Sequence, residues 1–396
     1  MRLTFKELKD QIAKVVPRDI PYTVELEAGN IAIVTPVPAK FGGGDGLIGK
    51  IAKRVKRKIV LRPDESIMKS EEDAKKLINE IVPEAAEITN IYFDSCYREI
   101  IIQCQNPGEA VGRRGANLNA IRDQTGWLVK VERTSPIISK TVHDIRGYRQ
   151  ANAPERRKLL KDFGLNIHRP QRPGSAWARV TALGSYREVG RACHFVTTNE
   201  SRIMIDVGVN IASDTDPMPY FTAPEALPLE KLDAVVLTHS HLDHAGMLPV
   251  LFKYGYRGPV YCTPPTRDLM LLLQTDYLKV GGSEGKRAPY DMEDIRTCMK
   301  HVVDVDWGET TDIAPDVKLT FSNAGHILGS SAVHLHIGDG KHNIVFSGDQ
   351  KYEKSWLFDA ANTRFPRVET LVIESTYGAS GDYQPSRQEA NQELQD

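Results

Sequence analysis

The stretch 233-DAVVLTHSHLDH-244 decides how the C-terminal half of this chain reads. An apolar run, Asp233–Leu237, has the length and β-branching of a buried strand. Directly after it come three imidazoles and a carboxylate: His239, His241, Asp243 and His244. Crowding of this kind is costly without a ligand. Neutral imidazole and carboxylate together suit zinc, and the spacing lets one loop feed two neighbouring ions. Two ions about 3.5–4 Å apart can clamp an in-line displacement at phosphorus. A cluster of surface histidines is the bland alternative.

Working outward, β-rich runs alternate with helical ones from Ser175 onward: ARVTAL, ACHFVTT, RIMIDVG, PVYCT, KLTFSNAG, AVHLHIG, NIVFSGD and ETLVIES. Several end in a polar residue, which predicts an α/β sandwich carrying its chemistry at strand ends. The N-terminal third repeats itself. Helix, strand, strand, glycine-containing loop, helix, strand occurs over 1–66 and again over 67–140, and Val16-Pro17 after the first helix returns as Val82-Pro83. Residues 141–175 carry eight Lys/Arg against three Asp/Glu between Thr141 and Pro173 and read as a basic linker or RNA-contacting arm.

HSHLDH resembles the HxHxDH signature of the metallo-β-lactamase superfamily. That resemblance implies roles for three further residues. Asp206, closing the strand RIMID, matches the aspartate that orients a ligand. His326 in NAGHILGSS matches the third-motif histidine, and Asp349 in IVFSGD the bridging carboxylate. It also implies that His239, His241 and His326 hold one zinc ion, and that Asp243, His244 and Asp349 hold the other. His334 and His336 on AVHLHI match no motif and read as structural.

Residues 371–378, LVIESTYG, resemble the opening of a β-CASP insertion, in which Glu374 would support a histidine acid. With LGSYREVGRACHFV (183–196) they point to CPSF-type RNA-cleaving enzymes. Gly112-Arg113-Arg114-Gly115 resembles the GxxG loop of a type II KH domain, where backbone and arginines meet phosphates. In the first copy Gly46-Leu47-Ile48-Gly49 is a degenerate form. The helix after it carries six cations over Lys50–Lys58 and reads equally as a backbone-tracking or a solvated face.

The layout resembles the archaeal CPSF-like β-CASP ribonucleases. The expected fold is α/β, with two N-terminal KH-like (type II) modules, 1–66 and 67–140, and the basic linker, 141–175. An incomplete metallo-β-lactamase αββα sandwich follows over 176–378, and then the start of a β-CASP insertion, 379–396. The resemblance implies a zinc-dependent ribonuclease, endonucleolytic and in some members 5′-to-3′ exonucleolytic, in RNA 3′-end formation and transcription termination. Asp206, Asp243 and Glu374 would serve catalysis, with single-stranded RNA and the transcription machinery as partners.

The family continues through the insertion and supplies two more histidines, yet none of the 11 here lies beyond His342. A truncated sequence is therefore expected, ahead of a split protein completed by another chain, with its second zinc one protein ligand short and without the family's homodimer contacts. Two alternatives remain: an RNA-binding protein with an inactive nuclease domain, and a small-molecule hydrolase of the same fold.

Composition agrees with folded domains. Hydrophobic residues make up 41% and charged residues 26%, and 51 Lys+Arg against 52 Asp+Glu leave a formal charge of −1. No global field draws the chain to nucleic acid or membrane, so binding must come from local patches. Five scattered cysteines without CxxC spacing argue against both a disulfide framework and a thiolate zinc site and fit a reducing cytoplasm.

Overall fold

The computed structural model describes residues 3–42, 46–137, 139–172, 177–213, 215–283, 288–382 and 385–395. The chain divides into two compact units, Leu3–Arg169 and Pro170–Asp396. The expected linker-to-sandwich boundary at 175/176 and part of the first glycine-rich loop lie outside the described residues.

In the first unit, Thr4 opens α1 (Phe5–Ala13) with a reciprocal capping box to Glu7, and Leu8 and Ile12, one turn apart, are its buried face. β1 (Thr23–Glu27) pairs antiparallel with β2 (Asn30–Thr35); after α2 (Leu47–Val55), β3 (Ile59–Pro63) returns parallel to β2. The second copy repeats this topology. α3 (Glu71–Ile81) is capped by Ser70 and buries Ala74 and Ile78. β4 (Ile88–Asp94) pairs antiparallel with β5 (Glu99–Cys104), and β6 (Leu128–Arg133) runs parallel to β5 after α4 (Pro107–Val111) and α5 (Ala116–Thr125). Val16 and Val82 are both buried just beyond their helices. Each copy has its own apolar core, and Leu47 and Ile48 of the degenerate loop pack into the first. Apolar residues there serve packing rather than phosphate.

The modules share a buried ion cluster. The Arg62 guanidinium on β3 donates to both carboxylate oxygens of Glu27 at 2.8 and 2.7 Å and to Glu99 on β5 at 2.8 Å. Lys130 meets the other Glu99 oxygen at 2.8 Å. Replacing Arg62 by Leu leaves the buried Glu27 carboxylate without its guanidinium and Glu99 with Lys130 alone, so a loss of about 3–5 kcal/mol is expected. Hydrogen exchange of the β3 and β5 amides measures it; protection unchanged within about tenfold contradicts the assignment.

Within the expected linker, the described residues 141–172 are mostly helix, which corrects that part of the reading: α6 (Lys140–Ala151) and α7 (Ala153–Ile167). α7 buries Arg156, Leu160, Phe163 and Ile167 at four-three-four spacing. Its Leu160 carbonyl accepts from Ala28 N–H at 2.9 Å, and at Gly164 an added Cβ would stand 2.5 Å from Leu26 Cβ. The cations that obscure the apolar period lie mostly on the other faces, although Arg157 bonds to Glu65 and to the Ser95 carbonyl.

In the second unit one sheet holds six strands. β9 (Arg202–Ile205), β10 (Ala234–Val236), β11 (Val260–Cys262) and β12 (Val302–Asp304) run parallel, extended by antiparallel β8 (Cys193–Thr198) and β7 (Ala178–Gly184). Between these strands lie α8 (Leu242–Ala245), α9 (Leu248–Lys253), α10 (Pro264–Ser283) and α11 (Met292–His301). The other sheet runs β13 (Thr310–Ala314), β14 (Val317–Asn323), β15 (Ser331–Ile337), β16 (His342–Phe346) and β17 (Thr370–Val372). It is antiparallel except for its last pair. His194 on β8 meets Phe346 on β16 at a ring-centroid distance of 5.2 Å, so the sheets face each other. α12 (Arg387–Gln395) follows, within the segment expected to begin an insertion. Among the described residues no helix is long and apolar enough to cross a membrane.

Candidate metal centre

The site is built where β9, β10 and β16 end. β9 stops at Asp206, a non-glycine residue at φ 61°, a strained conformation that turns its carboxylate toward β10. There it accepts from Thr238 N–H at 2.7 Å and from the Thr238 hydroxyl at 2.8 Å. The same carboxylate lies 2.8 Å from His244 Nδ1. Asp206 thus holds the His244 ring from behind and stands outside both candidate donor groups.

The following segment pairs with the histidine loop. Val207 N–H donates to the His244 carbonyl at 2.7 Å, Val209 N–H to Leu242 at 2.9 Å, and Ala192 N–H to Asp243 at 2.8 Å. Gly208 makes this approach possible, since a Cβ there would stand 1.6 Å from the Asp243 carbonyl oxygen. Gly348 (φ +56°) plays the corresponding part before Asp349, where a Cβ would come within 2.7 Å of Thr238 Cβ.

Two donor groups result. His239, His241, His326 and Asp349 each offer one ligand atom, all within 4.8 Å of one another; Asp243, His244 and Asp349 form the second such group. In the first, His241 Nδ1 stands 3.1 Å from His239 Nε2 and 3.2 Å from His326 Nε2. Asp349 Oδ2 lies 3.8 and 3.7 Å from those two Nε2 atoms. Asp349 Oδ1 turns to the second group, 3.2 Å from His244 Nε2, which is 3.8 Å from Asp243 Oδ2. One carboxylate therefore serves both groups, one oxygen to each.

Donor atoms about 2.0–2.2 Å from one tetrahedral divalent ion stand roughly 3.3 Å apart, close to the spacing found here. Three converging imidazole nitrogens that all carry lone pairs repel one another at this spacing, and a cation among them turns that repulsion into attraction. The donor set fits a metal.

Electrostatics point the same way. Burial, reinforced by His244, His241 and His326, holds His239 well below the usual histidine range, in the neutral form that metal ligation requires. Burial also lowers His326. His244 behaves differently. Burial opposes its charged form, yet Asp206 by charge and hydrogen bond, together with Asp349, holds its pKa well above the ordinary value.

Glu374, just past β17, stands outside both donor groups. It accepts from Gln350 N–H and from Thr376 N–H, each at 3.3 Å, and its own N–H donates to Ser347 Oγ at 3.0 Å. It braces the loop that leaves Asp349. His334 and His336 are also apart from both groups: His334 is buried, and His336 faces Thr320 at 2.9 Å and Asn343 at 2.9 Å. Thr238, Gly208 and Ser330 were not singled out from sequence, although Thr238 adjoins the motif. Ser330 Oγ accepts from His326 N–H at 3.1 Å and Ile327 N–H at 3.2 Å, shaping the His326 turn.

In the first unit, Gly112 (φ +73°), Arg114 (φ 54°) and Gly115 (φ +77°) make the tight left-handed turn before α5, and Arg113 and Arg114 are exposed. A Cβ at Gly112 would press to 2.8 Å on the Asn117 side chain.

Residues 186–391 match the model of the metallo-β-lactamase superfamily. The chain belongs to that superfamily. At the other end, residues 2–68 match the KH-domain model of the transcription termination factor FttA. Over nearly its whole length the chain is similar to proteins of that name: 49% identical to the one from Methanosarcina mazei, over 98% of this chain and 61% of that protein. It is 47% identical to the Methanothermobacter thermautotrophicus protein, over 98% and 62%, and 47% identical to the Thermococcus kodakarensis protein, over 98% and 61%. The chain thus spans about three fifths of the length of these relatives.

Proposed function

We propose that this chain is the RNA-binding and metal-holding part of a zinc-dependent ribonuclease acting in transcription termination and RNA 3′-end formation, endonucleolytic with a 5′-to-3′ exonucleolytic mode. The observation that carries the proposal is the sharing of Asp349 by two donor groups in a chain whose residues 2–68 match a KH-domain model. Zinc is the ion that a tetrahedral set of neutral imidazoles and carboxylate favours. His239, His241, His326 and Asp349 would hold one ion, and Asp243, His244 and Asp349 the other. When bound there, zinc supplies Lewis acidity to water and to the phosphoryl oxygens.

The chain's own residues do the rest. Asp206 orients the His244 ring and Thr238 ties that carboxylate to the histidine loop. Asp243 completes the second group, and Glu374 holds the loop beyond Asp349. Gly112, Arg113, Arg114 and Gly115 clamp the backbone of single-stranded RNA, whose base choice lies elsewhere. Five free, buried cysteines accord with work in a reducing cytoplasm, beside the transcription machinery.

The second donor group has three protein ligands, which favours, as the second reading, an RNA binder with a weakened catalytic centre. One experiment separates the two. With zinc-loaded protein and labelled single-stranded RNA, His241→Ala is expected to abolish cutting and leave RNA affinity within about twofold. Arg113→Glu/Arg114→Glu is expected to weaken affinity by tenfold or more and to flatten its salt dependence. No cutting by the unaltered chain, with affinity intact, favours the binder.

A further inference from the structure

Directly after Asp349 the chain makes a loop that exposes three large aromatic or apolar side chains, Tyr352 at 56%, Trp356 at 76% and Leu357 at 84%. The loop is tied to the metal-centre scaffold. Lys351 N–H donates to the Ala324 carbonyl at 2.9 Å, two residues before His326. Ala361 N–H closes back on Lys351 at 2.8 Å, and Asn362 N–H reaches Asn323 at 2.8 Å. At the tip, Ser355 N–H donates to the Phe358 carbonyl at 2.9 Å and Ser355 Oγ accepts from Phe358 N–H at 3.0 Å, a turn that leaves Trp356 without cover.

Trp356, Lys354 and Glu353 line a groove of about 510 Å³. α12 lines it too, through Gln388, Asn391, Gln392 and Gln395. Their three-and-four spacing places four side-chain amides on one helix face. Ser386 anchors that helix: its Oγ accepts from Glu389 N–H at 3.2 Å and its N–H donates to the Glu389 carboxylate at 2.7 Å.

A groove lined by one indole and a row of amides is poor chemistry for an apolar peptide, which needs more than one large apolar wall. It suits a nucleobase, which stacks on the ring and offers both donors and acceptors at its edge. Lys354 is paired with Asp359 at 3.1 Å, both widely exposed, so its ammonium can exchange that partner for a phosphate. Trp356 is seven Cα–Cα steps along the chain from Asp349, so the two Cα atoms lie within about 25 Å, a few nucleotides apart.

We infer that this groove is a nucleobase subsite for single-stranded RNA engaged at the metal centre, with Trp356 stacking on a base and the α12 amides reading its edge. The inference rests on RNA being the ligand and deepens that reading. Zinc-loaded full chain is irradiated with a single-stranded RNA 20-mer carrying 4-thiouridine, and adducts are mapped by mass spectrometry. Adducts are expected within residues 350–357 and 388–395. Trp356→Ala is expected to raise the RNA concentration that half-saturates them, and the KM for cutting, by about tenfold with kcat and zinc content unchanged. Trp356→Phe should restore most of the loss.

Adducts confined to residues 3–169, or a Trp356→Ala chain that matches the unaltered one in both readouts, overturn the subsite while leaving an RNA-binding protein. An unaltered chain that neither cross-links nor cuts overturns the RNA assignment, and the subsite with it.

Discussion

Asp349→Ala is expected to lower RNA cutting by at least about 10³-fold, the cost of losing several kcal/mol of transition-state stabilisation. Zinc content should fall at both donor groups together. The reason is geometric: Asp349 sends one oxygen toward His239 and His326 and the other to His244, so no other described residue belongs to both groups. Burial works against its charge, yet His244, His326 and His241 lower its pKa below the usual carboxylate value. Its removal therefore also strips a counter-charge from His244. Titration of zinc against a chromogenic chelator reads the loss. A variant that keeps both ions at unchanged affinity contradicts the shared role. Circular dichroism that matches the unaltered chain separates this effect from unfolding.

Gly208→Ala is expected to be the most damaging single-methyl change in the second unit. The new Cβ would stand 1.6 Å from the Asp243 carbonyl oxygen, 2.2 Å from its carbon and 2.7 Å from Ala192 N. All three are backbone atoms held by hydrogen bonds, so no side chain can swing aside. Either the 206–209 segment or the histidine loop must move. Loss of about 3 kcal/mol or more is expected, with zinc affinity falling alongside it because Asp243 and His244 sit on the displaced turn. Thermal unfolding with and without zinc measures both; a midpoint within about 2 °C of the unaltered chain contradicts the close-approach argument.

The candidate metal donors are legible because their chemistry is dense in sequence: four of the six lie within 239–244, and the other two stand just past strand ends in matching motifs. What sequence did not reveal depends on distance in space. Nothing local marks Thr238 as the residue joining Asp206 to the histidine loop, or Gly208 as a contact with Asp243, because each depends on a partner more than thirty residues away. The repeat was legible from element order, since each copy buries the same helix positions against a sheet of the same topology. α6 and α7 were obscured for a physical reason. Cations scattered between Ile145, Leu160, Phe163 and Ile167 mask an apolar stripe that becomes evident only once Leu26 and Ala28 are seen against α7.

Metal stoichiometry by elemental analysis, on protein reconstituted with zinc and dialysed, tests the shared centre most directly. About two ions per chain are expected, falling toward none in Asp349→Ala. An unaltered chain that emerges with no bound metal contradicts the centre and, with it, the assignment of RNA hydrolysis.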